Sequence, residues 1–305
     1  MTSTSRGEGG APFLGQLTIG MSISESPETD LAKRGLSSTH LDHAFVDLTR
    51  AFLAYGATLA YGGDHRVSGF TDILFDLLRT YDSGRVEPAE RIRNFLAWPI
   101  HLSLAARDRA SLRDVAVIEE LDPPADLVAN GLDRQRALPP DSPENRLIWA
   151  RCLTAMRRRM TDEIDVRILL GGKVTGFLGK YPGLAEEALL AIRAGKPLYL
   201  LGGFGGCTEA VIRAVLGEEP EALTLDFQVA NTDHYAEMIK LSFAPDEPVD
   251  YGTMVESFAR VGRTPELSGL KNGLSEADNR RLFATDDVDE MVALVLRGLT
   301  RLGTP

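Results

Sequence analysis

The sequence predicts an α/β protein, a three-layer fold around a mainly parallel sheet with a mostly helical C-terminal extension. Three observations carry this. Short apolar, partly β-branched runs alternate with helical patterns along the first two thirds of the chain, and such alternation builds parallel sheets covered on both faces. Several of those runs end in glycine pairs. The last third shows helical periodicity and few strand signals.

Residues 1–12, MTSTSRGEGGAP, are small and polar. They lack the apolar core of a signal peptide and are expected to form a disordered leader. Phe13–Ser24 (FLGQLTIGMSIS) reads as the first strand, and the polar Glu25–Ser38 as a loop over its carboxyl end. Thr39–Tyr55 places Leu41, Phe45, Leu48, Phe52 and Leu53 on one face, which predicts a helix. ATLAYGGD gives a second strand ending at Gly62, Gly63 and Asp64, and GFTDILFDLLRTY a second helix. A third strand is expected within Arg91–Leu104 and a fourth at Val115–Leu121. From Leu121 to Asn145 the chain is rich in Pro, Asp and Asn-Gly, and reads as a long surface loop with one short turn of helix. Ser142-Pro143 then opens a long helix, with proline in its first turn.

Asp165–Cys207 is the centre of the chain. Two apolar runs, Arg167–Gly172 and Pro197–Gly203, flank a helical pattern at Gly183–Ala194, a βαβ unit in about 40 residues. Thr208–Leu216 reads as a short helix and LTLDFQVAN (Leu223–Asn231) as a further strand. Asp233–Leu302 is mostly helical and closes on DDVDEMVALVLRGLTRL, with acids in the first turn and arginines in the last, as the helix dipole prefers. The expected organisation is a Rossmann-like domain over 13–217, with a helical region over 218–305 packed on it.

Composition narrows the functional classes. A formal net charge of −11 argues against nucleic-acid and anionic-membrane binding. The two cysteines, Cys152 and Cys207, form no CxxC and suggest no disulfide framework, so a cytoplasmic location is expected. No run reaches the roughly 18 apolar residues that span a bilayer. Of the five histidines only His40 and His43 are spaced like metal ligands, with no third partner, and neither a metal nor another cofactor is expected. GxSxG and GxxxxGK[ST] are absent.

Three strands end in glycine pairs: Gly62-Gly63, Gly171-Gly172 and Gly202-Gly203. In a parallel sheet all three lie at one edge, where backbone N–H groups approach an anion and a following helix adds its positive end. This points to a phosphate-bearing ligand; the other reading is that the glycines simply end strands tightly. GGFGGCTEA lacks the third glycine of GxGxxG and follows a late strand, so the usual dinucleotide fingerprint is absent. Candidate ligand contacts are these six glycines, with Phe204 and Gly205 in the last turn. Ser22 and Ser24 end the first strand, Asp64 and Arg66 follow the second, and Lys173 follows Gly172. Arg157, Arg158 and Arg159 point about 100° apart on a helix, so they cannot all face one ligand; Arg157 or Arg158 is preferred.

PGLAEEALLAIRAGKP resembles the GTxxE segment of the SLOG superfamily, which includes the LOG ("lonely guy") phosphoribohydrolases and is similar in outline to nucleoside deoxyribosyltransferases and TIR domains. AYGGDHRVSGF stands where LOG-like proteins carry a GGxxGxM turn, and MRRRMTDEID resembles their Arg-Lys-x-x-Met helix. The resemblance covers roughly Phe13–Gly217, and prokaryotic SLOG proteins of nucleotide signalling and antiviral conflict systems are the most similar branch. Leu184 replaces the LOG threonine, VTGFLGKY is inserted where a compact PGGxGT is expected, and the arginines sit one position off. Glu187 keeps the position of the motif's glutamate. The resemblance implies a nucleotide or nucleotide-derived ligand, with Gly183 and Glu186 among its contacts. As an enzyme the protein would cleave a ribosyl N-glycosidic bond, with Glu187 and Arg157 catalytic; as a sensor it would signal to a partner. A homo-oligomer is implied as well. From the residues alone Glu187 has three readings: a group that reacts, a ribose contact, or an acid that complements a helix dipole.

Overall fold

The computed structural model describes residues 13–62, 91–105, 109, 116–241 and 248–302. Six strands form one sheet: β1 (Thr18–Ser24), β2 (Thr58–Tyr61), β3 (Ile92–Leu96), β4 (Val117–Glu120), β5 (Val166–Gly171) and β6 (Leu198–Leu201). Their order is β4-β3-β2-β1-β5-β6 and every pairing is parallel. The first strand is shorter than its apolar run: Phe13–Leu17 lies ahead of it, with Leu14 fully buried.

Ten helices are labelled in chain order: α1 (Ser38–Ala54), α2 (Ala125–Ala129), α3 (Pro143–Glu163), α4 (Gly183–Arg193), α5 (Gly206–Val215), α6 (Leu225–Asn231), α7 (Tyr235–Met238), α8 (Tyr251–Gly262), α9 (Glu276–Ala284) and α10 (Val288–Leu302). Local chemistry sets their starts. Ser142 accepts from the Asn145 N–H ahead of the proline that opens α3, and Asp250 does the same for Thr253 at α8. None of these helices is long and apolar enough to cross a membrane.

Alternation along the strands divides the core into two layers. Ile168 and Leu170 of β5 face α1 and α10, with Ile19, Met21 and Ile23 of β1. Leu169 faces the other way, with Leu198 and Leu200 of β6 against α4, α5 and α8. Helix α3 covers Ala60 and Phe95 on that second face through Leu153, Met156 and Met160. The C-terminal helices close the β6 edge: Asn272 Nδ2 donates to the Leu198 carbonyl at 2.9 Å and the Gly202 N–H to Leu282 O at 3.3 Å. Covering an edge removes a template for stray strand pairing.

LTLDFQVAN departs from its expected strand. Its alternating Leu223, Leu225, Phe227 and Val229 read as a strand, but residues Leu225–Asn231 form α6. Thr224 caps the helix by accepting from the Phe227 N–H, and Leu225 and Val229 are exposed. The buried position is the polar Gln228, whose amide donates to the carbonyls of Val174 and Ala222. The expected helix GFTDILFDLLRTY and the 1–12 leader lie outside the described residues.

Candidate functional site

The strand order reverses between β1 and β5, and in open parallel sheets ligands bind at such a switch point, beyond the carboxyl ends of the strands. A cavity of about 730 Å³ opens there, within the size range of small-molecule sites. Its floor is the ends of β1, β2 and β3, from Met21–Ser24, Tyr61-Gly62 and Phe95–Ala97. One wall is α3, with Trp149, Leu153, Met156 and Arg157. Another is the loop after β5 and the start of α4, with Lys173, Phe177, Gly183, Leu184 and Glu187. Ala137, Leu138 and Pro139 of the long loop close a third side. The chain's two tryptophans fasten that loop: the Trp149 indole N–H donates to Leu138 O at 2.7 Å, and that of Trp98 to Arg134 O at 2.9 Å.

Four buried charges meet at the α4 wall. The Ser22 hydroxyl donates to Glu187 Oε2. Arg167 Nη1 donates to the same oxygen at 3.0 Å and to Ser22 Oγ at 3.0 Å. Arg157 turns its Nη1 to Glu186 Oε2 at 2.5 Å, and Thr154 donates to the other Glu186 oxygen. The Arg157 Nε stands 3.4 Å from Glu187 Oε1, a longer ion pair. Two guanidiniums thus face two carboxylates, the pairing that buried charges require. Burial pulls the Arg157 guanidinium down, but Glu186 and Glu187 outweigh it and hold it above the ordinary arginine value. For Arg167 burial prevails: Glu187 opposes it only partly, the Arg157 charge adds to it, and the guanidinium lies below its ordinary value.

The loop after β5 is fastened on both sides. Ser24 Oγ accepts from the Lys173 N–H at 3.2 Å, and Glu28 from the Thr175 N–H at 2.9 Å. Burial alone would raise the Glu28 carboxyl, but its hydrogen bonds from Thr175 bring it below its usual value. Three carbonyls of the same loop accept from side chains outside it: Val174 from Gln228 at 2.8 Å, Phe177 from Arg146 at 2.5 Å, and Lys180 from the Tyr235 hydroxyl at 2.6 Å.

Of the residues singled out from sequence, Ser22, Ser24, Gly62, Arg157, Lys173, Gly183 and Glu187 come together around the cavity. Glu186 lies beside it, bound to Arg157 and Thr154. Arg158 is exposed on α3. Gly171 and Gly172 have positive φ, 66° and 101°, and serve close packing: a Cβ on Gly172 would stand 2.6 Å from Leu184 Cδ2, and one on Gly171 2.7 Å from Ser24 O. Gly202 and Gly203 sit under the backbone of Phe283 and Thr285, Phe204 is buried, and Gly205 packs against Thr29. The three glycine turns therefore share an edge without converging on one cavity. Gly63, Asp64 and Arg66 lie outside the described residues. Cys207 is fully buried, and burial pushes its thiol up to about 12. His40 Nδ1 accepts from the Ser37 N–H at 3.0 Å, and no group of three metal-type ligands occurs among the described residues.

Sequence reasoning missed Arg167. Its signal was present: a charged residue at an inward position of an otherwise apolar parallel strand, where burial on both faces is the rule. Gly20, its register partner on β1, makes the space. A Cβ there would stand 3.3 Å from Arg167 Nη1 and 2.7 Å from Ile164 Cδ1.

An all-parallel α/β sheet with a cavity at its switch point defines a Rossmann-like fold of the kind that binds ligands there. Within that class the chain belongs to the SLOG superfamily: the family model described as SLOG cluster2 matches residues 13–282. Membership points to a nucleotide-related ligand, bound or processed. Among curated proteins no match is found.

Proposed function

We propose that the cavity at the β1/β5 switch point binds a nucleotide or nucleotide-derived ligand and cleaves its ribosyl N-glycosidic bond. The observation that carries the reading is the pair of Glu187 and Arg157 on the wall of a cavity of about 730 Å³. Glu187 faces the ribose. A carboxylate held by Ser22 and Arg167 suits the stabilisation of positive charge on C1′ as the bond to the base nitrogen breaks. The electron pair leaves with the base, a water oxygen bonds to C1′, and a proton passes to the departing base. Arg157 and Lys173 supply cationic groups for the phosphate end. By the same resemblance the protein forms a homo-oligomer, a reading that a monomer mass in light scattering at micromolar concentration would end.

A second reading is a sensor that binds the same ligand without turnover. Two observations favour it: Leu184 stands in place of the LOG threonine, and the cavity loop is hydrogen-bonded to Gln228 and Tyr235 of the C-terminal helices. Thermal unfolding with AMP, NAD, ADP-ribose, its cyclic forms and cyclic dinucleotides tests both. A true ligand at one hundred times its Kd stabilises by about 2.7 kcal/mol. Chromatography of the same samples then separates the two: free base and ribosyl product support cleavage, and unchanged ligand supports sensing. No stabilisation across the set ends both readings.

A further inference from the structure

Arg167 has no exposed surface and stands inside an all-parallel sheet. A guanidinium there is costly unless its donors are used. Nη1 reaches Glu187 Oε2 and Ser22 Oγ, both at 3.0 Å, and Nη2 reaches Thr161 Oγ1 at 3.2 Å. Ser22 sends its own hydroxyl proton to that same Oε2. With two donors on it, Oε2 is held in place. Among the described residues Glu187 Oε1 meets one group, the Arg157 Nε, in an ion pair at the longer distance of 3.4 Å. Glu187 lines the cavity, and Oε1, the less tightly held oxygen, is the one with acceptor capacity left for a donor from a ligand.

We propose that Arg167 is the positioning residue of this site: by holding Oε2 it presents Oε1 to a sugar hydroxyl, and so makes the cavity distinguish ribosyl from deoxyribosyl ligands. The proposal rests on the nucleotide reading above and adds to it the group that sets its selectivity. The chemistry is directional. A carboxylate accepts hydrogen bonds, so it selects a donor, and the donors of a sugar are its hydroxyls. A ligand lacking that hydroxyl leaves a buried acceptor unpaired, which a site built around it rejects. Arg157 does not duplicate this role: its short hydrogen bond goes to Glu186, and it meets Glu187 only at Oε1, at 3.4 Å.

The test is isothermal titration of the full chain with AMP, 2′-deoxy-AMP and 3′-deoxy-AMP. Wild-type protein is expected to prefer AMP over at least one deoxy form by about tenfold or more. In Arg167→Met the preference falls to about twofold or less, matching Glu187→Gln, and in Arg167→Lys, which keeps a buried donor, it is partly restored. A framework role alone would weaken all three ligands equally and keep the wild-type ratio; that result overturns the proposal. Nucleotide binding by wild type with no deoxy discrimination overturns it too and leaves the nucleotide reading standing. No binding of any of the three removes the proposal, and the wider nucleotide set above then decides the nucleotide reading. Where Arg167→Met does not fold, Arg167→Lys decides: a ratio reduced by about threefold or more supports the positioning role, and an unchanged ratio ends it.

Discussion

Gly171-Gly172-Lys173 and Gly202-Gly203-Phe204 read alike in sequence: each closes a short, wholly buried strand at the same edge of the sheet. Their neighbours differ. Beyond β5, which pairs with β1, the chain runs along the cavity, and Lys173 lines it. Beyond β6, at the end of the sheet, the chain meets protein: the backbone of Phe283 and Thr285 lies on Gly202 and Gly203. A glycine pair reports a close backbone approach. Whether the approaching group is a ligand or another segment depends on which strand the pair ends.

The largest expected effect falls on the β6 turn. A methyl group on Gly203 meets the Thr285 carbonyl and stands 2.8 Å from Asp286 Cα, where backbone cannot yield easily. Gly203→Ala should lose about 3 kcal/mol in urea unfolding, with nucleotide affinity of the folded protein unchanged. Wild-type stability in that variant would break the comparison at this end.

At the β5 turn the effect should be on binding instead. Lys173→Ala removes a half-buried side chain at the cavity, and stability should move by no more than about 0.5 kcal/mol. Affinity for AMP should fall about tenfold, or about 1.4 kcal/mol, while affinity for adenosine stays level. Equal losses for AMP and adenosine in thermal-shift titrations would remove Lys173 from the phosphate end.

The smallest effect belongs to Cys207, which joins the two turns through its N–H to the Gly172 carbonyl at 2.8 Å. Burial raises its thiol from 9.0 to about 12. The folded state keeps the proton where the unfolded chain has released it, so this contribution to stability is full below pH 9 and is lost as pH rises toward about 12. Cys152 behaves alike. Cys207→Ala should flatten the alkaline decline in urea midpoints, and neither thiol should react with Ellman's reagent at pH 8 until the chain unfolds. Rapid reaction in native buffer would contradict the burial.

Much of the fold was legible because its signals are local. The cap and proline of α3, the apolar face of α1 and the run–helix–run of Asp165–Cys207 all depend on residues within a few turns of one another, and each element formed close to its expected place. The SLOG resemblance, read from the segment around Glu187, agrees with a family match across residues 13–282. LTLDFQVAN was misread because alternation alone cannot show which face will be buried; Gln228 is satisfied there by two carbonyls. Glu186 and Glu187, adjacent in sequence, acquired different arginine hydrogen bonds for a reason of the same kind.

By itself the sequence determined an α/β protein with a parallel sheet, helices of known start, and a carboxylate at the head of α4, because periodicity and capping act between near neighbours. Tertiary structure alone decided the order β4-β3-β2-β1-β5-β6. That order selected the glycine turn beside the cavity and brought Arg167 to Glu187. Ser22 and Glu187 lie 165 residues apart, and Arg167 and Ser22 are separated by 145. No local rule reaches across such distances; side-by-side packing of β1 and β5 does.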